Sequence, residues 1–155
     1  MSTLLGLVLE DAFWSAVAAV GFAVLFNVPP RLVWACALTG AVGHMLRTGI
    51  TESGGHIVLG TLIGATVMGF LGTLLGRWLH APPPLFNVTG AIPMVPGVFA
   101  YSTMIGLIEL AGDAASAEVL VDTARNGIQT ALILAALAGG ITAPRLLLQR
   151  EKPVV

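Results

Sequence analysis

Two prolines and a glycine interrupt a long uncharged stretch of this sequence. Residues 85–108 carry no charge but include Pro93, Pro96 and Gly97. Proline lacks a backbone N–H and clashes with the carbonyl four residues before it, so this stretch cannot form one unbroken helix. A new helix beginning near Pro96 would point the N–H groups of its first turn into the break, where they attract anions such as carboxylates.

Gly97 is expected to let the backbone turn and approach a substrate, because glycine tolerates positive φ. Pro93, Pro96 and Gly97 are therefore candidates for lining a substrate site. Discontinuous helices near the middle of the bilayer are common in transporters. The alternative is a proline kink whose freed backbone groups bond to neighbouring helices.

His44 and Arg47 lie three residues apart, on one face of a helix, within the apolar stretch of residues 32–51. Charged groups inside a membrane segment usually face a cavity or a partner. Arg47 is a candidate for binding an anionic substrate, and His44 for coupling protons, because imidazole titrates near physiological pH. The alternatives are an arginine whose head reaches the membrane surface and an ordinary hydrogen-bonded histidine.

The last apolar stretch begins with a polar half. Asp122, Asn126 and Gln129 share a helical face, and Arg125 lies beside it. This pattern is typical of a cavity wall, in which Arg125 and Asn126 would bind substrate and Asp122 would be a second candidate for proton coupling. The alternative is a first turn at the membrane interface that contains an Asp122–Arg125 pair.

Recognised signatures of other functions are missing from the sequence. It has no HExxH, GxSxG, CxxC or Walker-type glycine loop. Its three histidines do not have a known metal-ligand spacing. Its seven Lys and Arg residues form no run, which gives no support for a nucleic-acid partner. We therefore predict a protein that is not an enzyme and needs neither metal nor cofactor.

The overall composition places these residues in a membrane. The chain is 56% hydrophobic and 10% charged, with a mean hydropathy of +0.92. Soluble domains average roughly 25% charged residues, so this chain has too few charges to cover a water-facing surface. A lipid-facing surface suits the composition. We predict a single integral membrane domain over residues 1–155.

Five apolar stretches predict an all-α, polytopic transmembrane helical bundle. Each approaches the roughly 20 residues that cross a bilayer. They cover residues 12–28, 32–51, 57–76, 85–108 and about 118–143. The stretch 32–51 is the weakest because it contains His44 and Arg47, and four crossings remain if it lies on the surface or re-enters. Pro144 and a basic tail are expected to end the last helix.

The basic residues predict the orientation. With five crossings and a cytoplasmic C-terminus, the cytoplasmic side receives Arg31, Arg77, Arg145, Arg150 and Lys152. The opposite side receives Glu10, Asp11, Glu52, Asp113 and Glu118. Four crossings would put one basic loop on the wrong side, so five are favoured.

Glycines are spaced for close helix packing in the third stretch. Gly60 and Gly64 form one GxxxG pair, and Gly72 and Gly76 form another. Small residues at this spacing let helix backbones approach each other in lipid. The pairs predict packing within the chain, and the alternative is a subunit interface.

Three parts of the sequence resemble the threonine/serine exporter superfamily in its short, separate-subunit form. They are residues 20–29, Gly43-His44 with Arg47, and residues 91–97 followed by Ala100-Tyr101. The resemblance covers nearly the whole chain. In single-chain members a region like this follows a larger half.

The resemblance implies a multi-pass protein of the bacterial inner membrane that works with a larger membrane subunit. It also implies export of a small carboxylate metabolite, with succinate or a related dicarboxylate first and threonine or serine next. The alternative, from another functional class, is a non-transporting scaffold or assembly subunit whose helices pack through the glycine faces.

Overall fold

A computed structural model describes residues 2–112 and 115–148, except for the side chains of residues 2, 3, 145 and 148. Within those ranges the chain forms helices and turns and contains no β-strand. The helices are α1 Ser2–Leu25, α2 Pro30–Glu52, α3 Ile57–Trp78, α4 Pro83–Ala91, α5 Gly97–Ala111 and α6 Ala117–Leu148, with a 3₁₀ turn at Ile92–Met94. The predicted all-α fold is confirmed. Asp113, Arg150 and Lys152, which entered the prediction of orientation, lie outside the described residues.

Three of these helices are long and apolar enough to cross a membrane, namely α1, α3 and α6. The pair α4 and α5 is bent by 56° and forms a fourth span if it is counted as one. This confirms the predicted transmembrane bundle with a broken fourth segment.

Helix α2 lies between α1 and α3, antiparallel to both. Near its start, Cys36 packs in one cluster with Ala23 of α1 and Leu75 of α3. Near its end, the main chain of Arg47 contacts Gly60 of α3. Its 23 residues extend about 34 Å, and short turns join it to its neighbours. Because of its polar side chains, it is less apolar than they are, and it is not among the helices that are long and apolar enough to cross. A fifth crossing by α2 stays a prediction.

The two ends of the bundle differ in charge. We call the end at which α2 finishes the Glu52 end and the opposite one the Pro30 end. The Glu52 end carries the carboxylates Glu10, Asp11, Glu52, Glu109 and Glu118. At the Pro30 end lie Arg31, Arg77 and an edge-to-face Trp34–Trp78 pair with ring centroids 6.3 Å apart. Tryptophan is enriched at both membrane interfaces, so the pair marks an interface and gives no orientation. The two arginines agree with the predicted orientation, which stays a prediction.

The glycines of α3 bring helices into direct contact. Each of the four glycines in the two GxxxG pairs occupies a place where a β-carbon would press on another part of this chain. The neighbours are the Arg47 carbonyl for Gly60, the Gly43 carbonyl for Gly64, the Asn87 side chain for Gly72, and Ala81 with Pro83 for Gly76. The prediction of internal packing is confirmed, and the alternative of a subunit interface on these faces is wrong.

One proline lies inside a helix where the sequence predicted a helix end. Helix α6 runs through Pro144 to Leu148. The Pro144 ring packs on Gly69, where a β-carbon would lie 3.1 Å from it, and this neighbouring helix supports the continued turn. Helix α4 begins at Pro83, because proline is accepted in a first turn, where its missing N–H would have no helical partner.

Candidate functional site

The break between α4 and α5 brings an irregular backbone into the interior of the bundle. Met94 is fully buried and Pro96 is buried, whereas the neighbouring Val95 is 45% exposed. Pro96 immediately precedes α5, and no side chain caps that helix. The first N–H groups of a helix have no partner within the helix. The predicted start of a new helix near Pro96 is therefore present, one residue later than expected.

Gly97 does not make the backbone turn that the sequence predicted. It is the first residue of α5, its φ is not positive, and its N–H donates to the Val95 carbonyl at 2.8 Å. A β-carbon at Gly97 would meet nothing within 4 Å. The prediction that this position needs glycine to turn the backbone is wrong. The bend is made by Pro93 and Pro96, which remove backbone N–H groups from the helix.

Arg47 reaches from α2 into this break. Its Nη1 donates a hydrogen bond to the main-chain carbonyl of Met94 at 2.8 Å, and its side chain is half-buried. A carbonyl freed at a helix break needs a donor inside a membrane. Arginine has five N–H donors in a planar fork, and this bond uses one of them. The side chain thus points into the bundle and not toward the membrane surface.

His44 lies one turn before Arg47 and contacts a carboxylate of α1. Its Nδ1 is 2.6 Å from Oδ2 of Asp11, and the hydroxyl of Thr48 donates to the same oxygen. The pattern of basic residues predicts that Asp11 is a charge of the side opposite the cytoplasm. The structure places it inside α1, two turns after the helix begins. A carboxylate within an apolar stretch was the signal that could have identified it.

The polar residues of α6 lie elsewhere and divide between two grooves. Asp122 and Asn126 line a groove of about 230 Å³ against α5. Arg125 and Gln129 line another, of about 460 Å³, near the start of α3. Neither groove includes Arg47 or His44. The single cavity wall predicted for α6 is therefore not formed, because α3 and α5 pack against different sides of that helix.

The Asp122–Arg125 pair of the alternative interpretation is also not formed. The part of the chain that the structure describes contains one ion pair, between Asp11 and His44. The side chains of Asp122 and Arg125 are exposed. Within residues 2–112 and 115–148, no three His, Cys, Asp or Glu side chains are grouped to hold a metal ion.

The predicted site residues that do come together are Arg47, His44, Pro93 and Pro96, with Asp11 as an addition. They combine a guanidinium, an imidazole–carboxylate pair and the main chain of a helix break. Such groups bind anions and exchange protons.

Comparisons with known proteins bear on this arrangement. Residues 11–147 match the family described as "Threonine/Serine exporter, ThrE". An uncharacterized protein of Haemophilus influenzae (strain ATCC 51907 / DSM 11121 / KW20 / Rd) is 40% identical over 147 residues, which are 95% of this chain and 50% of that protein. The chain thus spans about half the length of the curated relative it matches. No solved structure matches it.

Proposed function

The chain belongs to the threonine/serine exporter family, and on that premise we propose that it exports small metabolites that carry a carboxylate, with Arg47 binding that group. Succinate or a related dicarboxylate is the substrate proposed first, and threonine and serine come next. Membership of an exporter family favours transport over catalysis. The helices are those of a multi-pass membrane protein, and we place it in the bacterial inner membrane with a cytoplasmic C-terminus.

The observation that carries the proposal is the hydrogen bond from Arg47 to the Met94 carbonyl. An arginine inside a membrane segment is costly and is usually kept for function. Here the guanidinium lies at a helix break, because it binds the carbonyl of Met94, and Met94 is three residues before the start of α5. The first turn of α5 and the fork of Arg47 both attract negative charge. A carboxylate entering the break would meet two favourable partners in one place.

We also propose that a second, larger membrane component completes the exporter. The chain spans about half the length of the relative described above, which supports this proposal. Asp122 and Arg125 support it as well, because they are exposed on a membrane-spanning helix. Charged side chains at such positions face protein or water and not lipid.

The rival proposal, a scaffold subunit, has less support. It relied on the glycine faces of α3 to hold a partner, and those faces are occupied within the chain.

An export assay in cells separates the two proposals. Cells that lack the chain are loaded with labelled succinate, threonine or serine, and efflux is followed after the chain is restored, alone or with the second component. We expect efflux above background only with both present. If substitutions of Arg47 change the amount of complex in the membrane but not efflux per complex, the scaffold role is correct.

A further inference from the structure

A second polar contact lies beside Arg47, and carboxylate binding alone does not explain it. Asp11, His44 and Thr48 join α1 to α2 at the Glu52 end, where one oxygen of Asp11 accepts from both partners. The His44 contact measures 2.6 Å. Placing a carboxylate–imidazole pair inside a membrane segment costs desolvation free energy, which an apolar pair of residues would not cost. Ionisable groups at such depth are usually functional, and proton relays are a frequent use.

A groove lies beside this pair at the Glu52 end. This groove, of about 360 Å³, is lined by Asp11, Trp14 and Thr48, with Glu10 and Glu52 also on its walls. The side chain of Asp11 is 35% exposed, but that of His44 is 16% exposed. His44 therefore lies behind Asp11 as seen from the groove, and it is one helical turn from Arg47. A proton that enters from the groove meets Asp11 first.

The charged groups around His44 can be named for each neighbouring helix. From α1 they are Asp11, which contacts it, and Glu10 in the groove; on α2 they are Arg47 and Glu52. The described residues of the 3₁₀ turn and of the nearby half of α3 are uncharged. Asp11 contacts His44, which lies one helical turn from Arg47.

We propose that Asp11 and His44 form a proton-binding site, and that a proton on this pair strengthens carboxylate binding at Arg47. Without the proton, the pair carries one negative charge, which offsets the positive charge of Arg47. One proton taken from water in the groove makes the pair neutral. The positive charge of Arg47 is then no longer offset and attracts the carboxylate of the substrate. Linkage is reciprocal, so substrate binding must in turn promote uptake of that proton. The second half of the proposal rests on the proposed function, because it assumes that Arg47 binds the substrate.

The proton site can be tested without any substrate, because Trp14 lines the same groove. The chain has three tryptophans and one tyrosine. Replacing Trp34 and Trp78 by Phe leaves Trp14 as the only tryptophan, which is excited selectively at wavelengths that Tyr101 does not absorb. The fluorescence of the purified full chain is followed from pH 5 to 8, the range in which histidines change charge. We expect one transition that Asp11→Asn and His44→Gln abolish. Glu10→Gln, which removes another carboxylate of the groove, should leave it in place.

A transition that persists in Asp11→Asn, or that disappears only in Glu10→Gln, overturns the assignment of the site. Asp11→Asn is close to isosteric and can still accept from Thr48. Membrane levels of each variant show whether it inserts normally.

The linkage is tested by transport into inside-out vesicles, with equal pH on both sides and with labelled threonine and succinate as probes. In the parent, we expect the half-saturation concentration to rise roughly tenfold from pH 5.5 to 8, within the range usual for coupled sites. Part of this rise in half-saturation concentration comes from the titration of the substrate itself. Asp11→Asn and His44→Gln should remove the rest of it. Transport at a normal rate, with the same pH dependence in parent and variants, refutes the linkage alone. No transport of either probe by the complete exporter contradicts the proposed function and, with it, the linkage.

Discussion

Gly64 of α3 lies so close to the main-chain carbonyl of Gly43 on α2 that a β-carbon on Gly64 would have no room. The terminal carbon of Met94, in the 3₁₀ turn, would lie 3.2 Å from the same β-carbon. Three helical segments therefore meet at one glycine. This contact sets the position of the α4–α5 break along the axis of α2. It thereby places the Met94 carbonyl within reach of Arg47.

Gly64→Ala should therefore destabilise the bundle. The added methyl group presses on backbone, which cannot move aside as a flexible side chain can, and overpacking of this kind costs about 1–3 kcal/mol. We expect a lower temperature of thermal unfolding for the purified chain in detergent. Gly97→Ala is the matched control, because a β-carbon there meets nothing within 4 Å. Equal unfolding temperatures for the two variants would show that the Gly64 contact is not tight.

The predicted crossing of the membrane by α2 requires its two flanking turns to lie on opposite sides. In a Cys36→Ala background, single cysteines are placed at Phe26 and at Ser53, which lie in those turns and are exposed. A membrane-impermeant thiol reagent should label Ser53→Cys in intact cells and Phe26→Cys only after permeabilisation. Labelling of both from the same side would mean that α2 does not cross.

The exposed charges of α6 predict a contact with the proposed second component. Asp122→Ala and Arg125→Ala should each shift the chain from the complex to the free form, because each removes a charge that the partner surface would have to match. Native electrophoresis of gently solubilised membranes measures the ratio of the chain in the complex to the free chain. Glu118→Ala, also exposed but in the first turn of α6, is the control. Full recovery of the complex in both test variants would place the partner elsewhere.

Some of this fold could be predicted from the sequence because it depends on local rules. The break at Pro93 and Pro96 follows from missing N–H groups, whatever surrounds them. The crossing helices follow from apolar stretches of sufficient length. The inward position of His44 and Arg47 follows from the cost of charge in lipid.

Other features depend on which helices pack together, which one sequence does not reveal. The Asp11–His44 contact joins residues 33 positions apart and needs the register of α1 on α2. That register is set in part by Gly40, where a β-carbon would lie 2.7 Å from Ala19. The separation of Asp122 from Arg125 likewise depends on α3 and α5 taking different sides of α6. For Gly97, the residue type suggested a turn that the prolines already make.

The most direct test of the central claim is the half-saturation concentration for export in Arg47→Ala, normalised to the amount of exporter in the membrane. Losing a charged hydrogen bond to the substrate should cost on the order of 1.5–3 kcal/mol, which raises this concentration roughly ten- to a hundredfold. Arg47→Lys should show a smaller rise, because lysine keeps the charge but not the planar fork. Arg31→Ala, at the exposed Pro30 end of α2, should match the parent. If Arg47→Ala also exports with the parental half-saturation concentration, Arg47 serves only to cap the Met94 carbonyl, and the account of carboxylate binding is wrong.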